Sequence, residues 1–273
     1  FMKSCQNKET SQVAGNDWTE NKDGQKQSEE DIKMSYLNNY NFRRALDFLE
    51  SHEDENAYEW FKKALEDDQD NAYAHQCIGR IFFSHDNNGE AMKAFRFAQK
   101  TMPESGLGLL YSDWAKLYHA LGEEDKRLEY AKKAVEVDPE CTEAFEELSE
   151  YYLDHDMLDE SDAAMDKYIE VEPQSSYAYT IKGRNELVRE HYDQAIRLFD
   201  YAIKLDSSYI YAHTFKAEAL VDMDRLGEAC DSFIQANRIC IERQEEDDEL
   251  KTVKKTISAN IRKIFFESVM PCV

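Results

Sequence analysis

The sequence predicts an all-α solenoid of helical hairpins, because it repeats itself about every 34 residues. Three of the four prolines, Pro103, Pro139 and Pro173, lie 36 and then 34 residues apart. An Ala–Phe–Ala triplet recurs in the same register, at positions 57, 61 and 64, at 91, 95 and 98, at 195, 199 and 202, and at 229, 233 and 236. A fixed period of this length is typical of proteins in which one supersecondary unit stacks on the next.

A second observation fixes the register. Twelve positions before the first member of each triplet, and at the equivalent places in the other repeats, stands a small residue: Ala45, Gly79, Ala115, Ser149, Gly183 and Ala217. The chain then divides into six repeats, at 38–71, 72–105, 108–141, 142–175, 176–209 and 210–243, with two extra residues between the second and the third. Small residues let paired helices approach closely, and the phenylalanines fill the space between hairpins.

Each repeat is predicted to be a pair of helices. Its apolar residues follow the helical period of 3.6 and not the alternation of a strand. In the fourth repeat Phe145, Leu148 and Tyr152 mark the first helix, and a second apolar stripe begins at Leu158. Proline ends the second helix in several repeats, because it has no N–H and clashes with the preceding turn.

This pattern resembles the tetratricopeptide repeat family across residues 38–243. The fifth repeat carries it on Tyr179, Gly183, Ala195, Phe199 and Ala202. Departures occur at Arg127 and Ala131 in the third repeat, at Tyr168 in the fourth, and at Gln69, where the first repeat lacks its proline. The resemblance implies a right-handed superhelix whose concave groove, lined by the first helices, receives a peptide or a partner helix.

The two ends have different compositions. Residues 1–30 are rich in polar residues and are predicted to be a disordered tail or tether, while residues 31–243 contain the repeats. Residues 244–273 begin with an acidic run and continue with an apolar stripe at helical spacing, on Leu250, Val253, Ile257, Ile261 and Ile264. We expect a helix over about 247–267 that caps the sixth hairpin.

The charge of the chain limits the classes of partner. It has 57 acidic and 33 basic residues, a net charge of −24 at pH 7. Nucleic acid is excluded as a partner, since phosphate contacts need a basic face. The acidity indicates a solvated exterior, with a preference for a basic partner as the alternative. No run of 18 apolar residues predicts a transmembrane segment.

No enzyme motif occurs in the sequence, so we expect no catalytic residues, no cofactor and no metal. Phosphate loops, nucleophile elbows and zinc-binding motifs are all missing. Cysteines at 77, 141, 230 and 240 form no C-x-x-C pair and are expected to be core residues in a reducing compartment. We therefore expect a cytoplasmic location. The alternative is a bacterial cell envelope lipoprotein with a lipid anchor at Cys5, which follows Ser4 and precedes a polar stretch.

Binding residues are predicted on the inner stripe of the first helices: Tyr73, Gln76, Arg80, Lys116, Tyr177, Arg184 and Tyr211. Tyrosine offers a large contact area at low entropic cost, and the three cations could pair with carboxylates on a ligand. Alternatively, the tyrosines pack against the next repeat and the cations pair locally. The predicted function is a non-enzymatic protein–protein interaction scaffold. A membrane-tethered lipoprotein adaptor, or the regulatory part of a larger enzyme or sensor, are the alternatives.

Overall fold

The computed structural model describes residues 18–20, 26–28, 39–242 and 255. Within this part of the chain twelve helices follow one another, which confirms the predicted all-α repeat architecture. In chain order they are α1 Tyr40–Glu50, α2 Asp54–Asp67, α3 Ala72–Ser84, α4 Asn88–Thr101, α5 Glu104–Ala120, α6 Glu124–Val137, α7 Thr142–Asp154, α8 Leu158–Val171, α9 Ser176–Val188, α10 Tyr192–Leu205, α11 Ile210–Asp222 and α12 Leu226–Glu242.

The helices pack as hairpins. The partners α1–α2, α3–α4, α7–α8, α9–α10 and α11–α12 lie against each other, and successive hairpins also touch, as α8 does α9 and α10 does α11. Several helices start with a side-chain cap: Asn71 accepts a hydrogen bond from the Ala74 N–H at 3.0 Å. Such a cap satisfies one of the backbone donors that a helix start leaves unpaired.

The same turn joins the two helices of every repeat. Its residue with positive φ recurs at one repeat position: His52, Asp86, Gly122, Asp156, Glu190 and Asp224. The next N–H then donates back across the helix end, as Asn87 does to the Phe82 carbonyl at 2.8 Å. This is the hydrogen bond of a Schellman-type helix end, in which the left-handed residue reverses the chain.

The chain forms two compact units. The N-terminal unit comprises Phe1–Glu123 with Glu136–Asp138, and the C-terminal unit comprises Glu124–Val135 with Pro139–Val273. Helices α1 to α5 belong to the N-terminal unit, and α7 to α12 belong to the C-terminal unit. The boundary falls within the third predicted repeat, whose second helix, α6, lies mostly in the C-terminal unit.

The predicted columns of the repeat form the core. The small-residue column and the alanines of the triplets are buried throughout, and so are Phe61, Phe95, Phe199 and Phe233. A Cβ atom added to Gly79 would lie 2.4 Å from Phe95 Cε1, and one added to Gly183 would lie 2.5 Å from Phe199 Cε1. Glycine is therefore required where a phenylalanine ring reaches the backbone of the first helix.

The polar tail contains two short strands, where the sequence predicted disorder. Strand β1, Trp18–Glu20, pairs antiparallel with β2, Lys26–Ser28, in a register that places Glu20 opposite Lys26. Strand β1 contains the strand-favouring residues Trp18 and Thr19. The rest of residues 1–30, including Cys5, lies outside the described residues.

The last helix of the repeats presents an apolar outer face. Ile234 is 53% exposed and Ile241 is 63% exposed. At the position of Ile234 the five preceding repeats carry exposed charged residues: Lys62, Arg96, Lys132, Asp166 and Asp200. The predicted capping helix over 247–267 lies outside the described residues except for Lys255, which is helical. Among the described helices, none is both long and apolar enough to span a membrane.

Candidate partner-binding site

In the N-terminal unit, two predicted binding residues form hydrogen bonds with another residue of the same chain, Asp113. Gln76 Nε2 donates to Asp113 Oδ2 at 2.6 Å, and Arg80 Nε lies 2.8 Å from both Asp113 oxygens. Asp113 is buried on α5, so its carboxylate joins α3 to α5. Arg80 therefore pairs with a carboxylate of its own chain, which is the alternative given above to pairing with a ligand.

The other two predicted residues of this unit differ in exposure. Tyr73 is buried on α3, which is the packing role that the sequence gave as its alternative. Lys116 is half-buried on α5, less than one helical turn after Asp113.

In the C-terminal unit the predicted residues Tyr177, Arg184 and Tyr211 are all half-buried on α9 and α11. Arg184 Cζ lies 5.6 Å from the centroid of the Phe215 ring. The Tyr211 ring lies 6.5 Å from that of Phe215 in a stacked arrangement. Arg184 and Tyr211 are thus brought to one aromatic residue, Phe215, that the sequence analysis did not include.

A carboxylate lies beside this aromatic group. Burial raises the pKa of Glu218 on α11, the neighbouring Asp222 raises it further, and Arg184 opposes the rise. Burial disfavours the charged form of a carboxyl group, so the raised pKa indicates that Glu218 lies in a partly dehydrated environment.

Helix α7 supplies an acidic stripe. Glu143, Glu146 and Glu150 recur at intervals of three and four, so their side chains share one face of the helix. Tyr168 Oη, on α8, donates to Glu146 Oε1 at 3.4 Å. The pKa of Tyr168 is raised, first by burial and then by the negative charge of Glu146.

Tyr177 faces the same acidic stripe from α9. Burial raises the pKa of its phenol well above the ordinary value, and Glu150 and Glu146 are the charges that raise it most. Its ring lies 5.9 Å from the ring of Tyr168. The hydroxyl oxygen is covered and has no hydrogen-bond partner. The phenol therefore stays neutral and keeps an unused lone pair beside carboxylates.

Arg127 is a further charged residue at the stripe, at a position where the third repeat departs from the repeat pattern. It occupies a column that holds alanine or serine in the other repeats, and it is 1% exposed. Its guanidinium lies 2.7 Å from Asp154, 3.3 Å from Glu124, 3.8 Å from Glu150 and 3.9 Å from Glu147. Burial alone would lower its pKa, but hydrogen bonds to Asp154 and Glu124 outweigh that effect and raise it.

The signal for this cluster was present in the sequence. A basic residue in a column of small residues must extend towards another element, and α7 offers acidic residues at helical spacing. One arginine is thus shared by four carboxylates. The described residues contain no group of three or more ligating side chains placed to hold a metal ion.

Comparisons with known proteins agree with this architecture. Residues 108–141, the bounds of the third predicted repeat, match the family model described as tetratricopeptide repeat. No curated protein matches the sequence. The third predicted repeat therefore matches the family that the sequence resembles.

Solved structures share the fold at low sequence identity. PilW, described as a widely conserved type IV pilus biogenesis factor, has a TM-score of 0.64 at 16% identity, with 80% of this chain and 98% of that chain covered. PilF of Pseudomonas aeruginosa has a TM-score of 0.62 at 14% identity, covering 84% and 98%. A chain of the APC/C hetero-tetramer Cut9–Hcn1 has a TM-score of 0.64 at 14% identity, covering 78% of this chain. This chain spans only 41% of the length of that last one.

Proposed function

We propose that this protein is a non-enzymatic interaction scaffold that binds a peptide segment of a partner protein. Binding takes place on the first-helix face of the C-terminal unit, defined by the acidic stripe of α7, Tyr177 and Arg184 of α9, and Tyr211, Phe215 and Glu218 of α11. The observation that carries the proposal is the half-buried state of this mixed aromatic and charged set, all of whose members except the exposed Glu150 are partly covered.

Half-buried aromatic residues suit a recognition surface. They are held in place by packing on one side and still offer ring area on the other, so little entropy is lost when a ligand covers them. The rings of Tyr211 and Phe215 are already stacked. A peptide laid across them buries apolar area, while the neighbouring charges select its side chains.

The non-enzymatic part of the proposal is supported by the nature of these groups. The side chains that define the first-helix face are aromatic rings, carboxylates and one guanidinium, which are typical contact groups of a recognition surface. Among the described residues, the buried hydroxyl pair of Ser149 and Ser161 is closed within the core at 2.8 Å. Its position suits packing and not contact with a substrate.

The test is a selection from a random peptide library displayed on phage, with the wild-type protein as bait. Each selected peptide is then measured against the double variant Tyr177→Ala, Arg184→Glu. We expect a loss of affinity of roughly tenfold or more, since both anchors of the face are removed. Circular dichroism first shows that the variant keeps its helicity.

A matched control is the double variant Tyr201→Ala, Arg197→Glu. It removes the same residue types from exposed positions of α10, a second helix. Peptides that lose affinity equally for both double variants, or for neither, would contradict the proposed face.

A further inference from the structure

We propose that Arg184 binds one carboxylate of the peptide that lies on the first-helix face, and that Phe215 holds the guanidinium in place for this contact. The inference rests on the proposed function and names the chemistry of one ligand group. The sequence predicted such pairing for Arg80, Lys116 and Arg184 alike. Arg80 is bound by Asp113 instead, and Lys116 also has an interaction within the chain.

Arg184 differs from the lysines on the same pair of first helices. Lys182 of α9 pairs with Asp166, and Lys216 of α11 lies 2.6 Å from Asp200, so the chain itself neutralises both. Among the described residues, Arg184 forms no ion pair and donates no side-chain hydrogen bond. It is half-buried, and an opposite charge stabilises such a cation more than one in bulk water.

Phe215 gives the guanidinium a fixed position. Arg184 Cζ lies 5.6 Å from the centroid of the Phe215 ring. That ring is itself stacked on the fully buried Phe199 at 6.2 Å and on Tyr211 at 6.5 Å. A cation–π contact uses the charge of the guanidinium and none of its N–H donors. Because the ring is held by the core, little entropy is lost when a ligand binds to the guanidinium.

A carboxylate is the ligand group that fits these donors. It accepts two parallel hydrogen bonds from a guanidinium, a pairing that is both strong and directional. The side chains of Asp and Glu and a free C-terminus all carry this group. Burial is the main cause of the raised pKa of Glu218, and the charge of Arg184 opposes the rise. No ion pair joins these two described residues, so Glu218 does not take up the donors.

The net charge of −24 is compatible with this contact. Repulsion between exposed charges is largely screened beyond about 10 Å at roughly 0.1 M salt, whereas a half-buried pair in contact is screened much less. The proposal concerns one ligand carboxylate at Arg184, and it allows the rest of the peptide to be neutral or basic.

The experiment extends the library selection, carried out at about 150 mM NaCl so that long-range repulsion is screened. The Kd of the best peptide that depends on the first-helix face is measured by fluorescence anisotropy for the wild type and for Arg184→Gln. Each Asp, each Glu and the C-terminal carboxylate of the peptide is then neutralised in turn, by Asn, by Gln or by amidation. We expect Arg184→Gln, and one of these peptide changes, each to raise the Kd about tenfold or more.

A double-mutant cycle then tests the contact itself. Once Arg184 is replaced by Gln, neutralising the same peptide carboxylate should change the Kd by less than about twofold, because the contact is already lost. Arg184→Lys keeps the charge but loses the paired donors, and we expect the Kd to rise roughly threefold. The matched control is Arg197→Gln, at an exposed position of the second helix α10, which should change the Kd by less than about twofold.

The possible outcomes separate the two proposals. Coupling to a side chain or to the C-terminus supports the inference and identifies the source of the carboxylate. Peptides that depend on the face, but whose carboxylates all act independently of Arg184, overturn the inference and leave the scaffold function standing. Equal losses for Arg184→Gln and Arg197→Gln also overturn it, because the change in net charge would then account for the effect. A selection that yields no peptide dependent on the face overturns both proposals.

Discussion

The fourth and fifth hairpins have different side chains at the same helix–helix interface. In the fifth, Gly183 leaves room for the ring of Phe199, which is fully buried. In the fourth, Ser149 and Ser161 occupy the small-residue positions, and their hydroxyl groups are hydrogen-bonded at 2.8 Å. Asn185, on α9, donates to Ser161 at 3.0 Å and so links the polar pair to the next hairpin.

The difference shows that the repeat fixes the spacing of the two helices in a hairpin. The side chains that fill the space between them can differ from one hairpin to the next. The fifth hairpin closes by filling volume, and its stability depends on shape. The fourth hairpin adds a hydrogen-bonded pair to a core that contains the fully buried Met165, so part of its stability depends on each polar group keeping its partner. The polar hairpin is also the one that carries the acidic stripe and contacts Arg127.

The largest effect is expected from Phe199→Ala in the fifth hairpin. Removing a fully buried ring leaves a cavity, and the free energy of unfolding should fall by about 3–5 kcal/mol. Urea denaturation followed by circular dichroism measures it. Phe97→Ala is the control, because Phe97 is 54% exposed at the surface. A loss of the same size for Phe97→Ala would contradict the assigned core.

A somewhat smaller loss is expected from Arg127→Met. The variant keeps the buried volume but removes the positive charge shared by four carboxylates, and we expect about 2–4 kcal/mol of destabilisation at pH 7. Glu150 and Asp154 are half-exposed and stay hydrated, which moderates the cost. Arg43→Met, at an exposed position of α1, is the control. If the two substitutions had equal effects on urea denaturation, the buried cluster would contribute nothing.

Gly183→Ala tests the close contact in the fifth hairpin. The added methyl group would lie 2.5 Å from Phe199 Cε1, so we expect about 1–3 kcal/mol of destabilisation from overpacking. Gly227→Ala, in the first turn of α12, meets nothing within 4 Å. Alanine favours helix over glycine, and this control should be neutral or more stable by up to about 1 kcal/mol. A melting temperature that falls equally in both variants would rule out the steric explanation.

The smallest effect is expected in the fourth hairpin, where a double-mutant cycle isolates the hydroxyl pair. Ser161→Ala removes the partner of Ser149 and one acceptor of Asn185, and we expect a cost of about 1–2 kcal/mol. Asn185 keeps its bond to Asp162 at 2.8 Å. Adding Ser149→Ala should cost less than it does alone, because the orphaned hydroxyl is removed. Strict additivity would show that the two serines do not stabilise each other.

The sequence predicted the repeat register and the buried columns, because each depends on residue spacing along one helix. It did not predict the residues that connect different helices. Gln76 and Arg80 were assigned to a ligand, whereas Asp113, 33 residues after Arg80, binds both. Spacing identifies the face of a helix but not the side chain opposite it. That depends on rotamers and on the separation of neighbouring helices.

The strands of the tail and the role of Arg127 were missed for related reasons. Polar composition argues against a core, but a two-stranded ladder can form through backbone hydrogen bonds alone. Arg127 stands where the other repeats have alanine or serine. That exception is visible in the sequence, but the residues that the guanidinium contacts are not. Tyr177 and Arg184 lie on α9, and the fold adds Phe215 and Glu218 of α11 beside Arg184.

The apolar outer face of α12 has a consequence for the behaviour of the protein in solution. Ile234 and Ile241 are exposed on α12, and the five preceding repeats carry charged residues at the position of Ile234. Exposed apolar side chains on one helix face favour contact with another apolar surface, so association between copies of the protein through α12 is expected to increase with concentration.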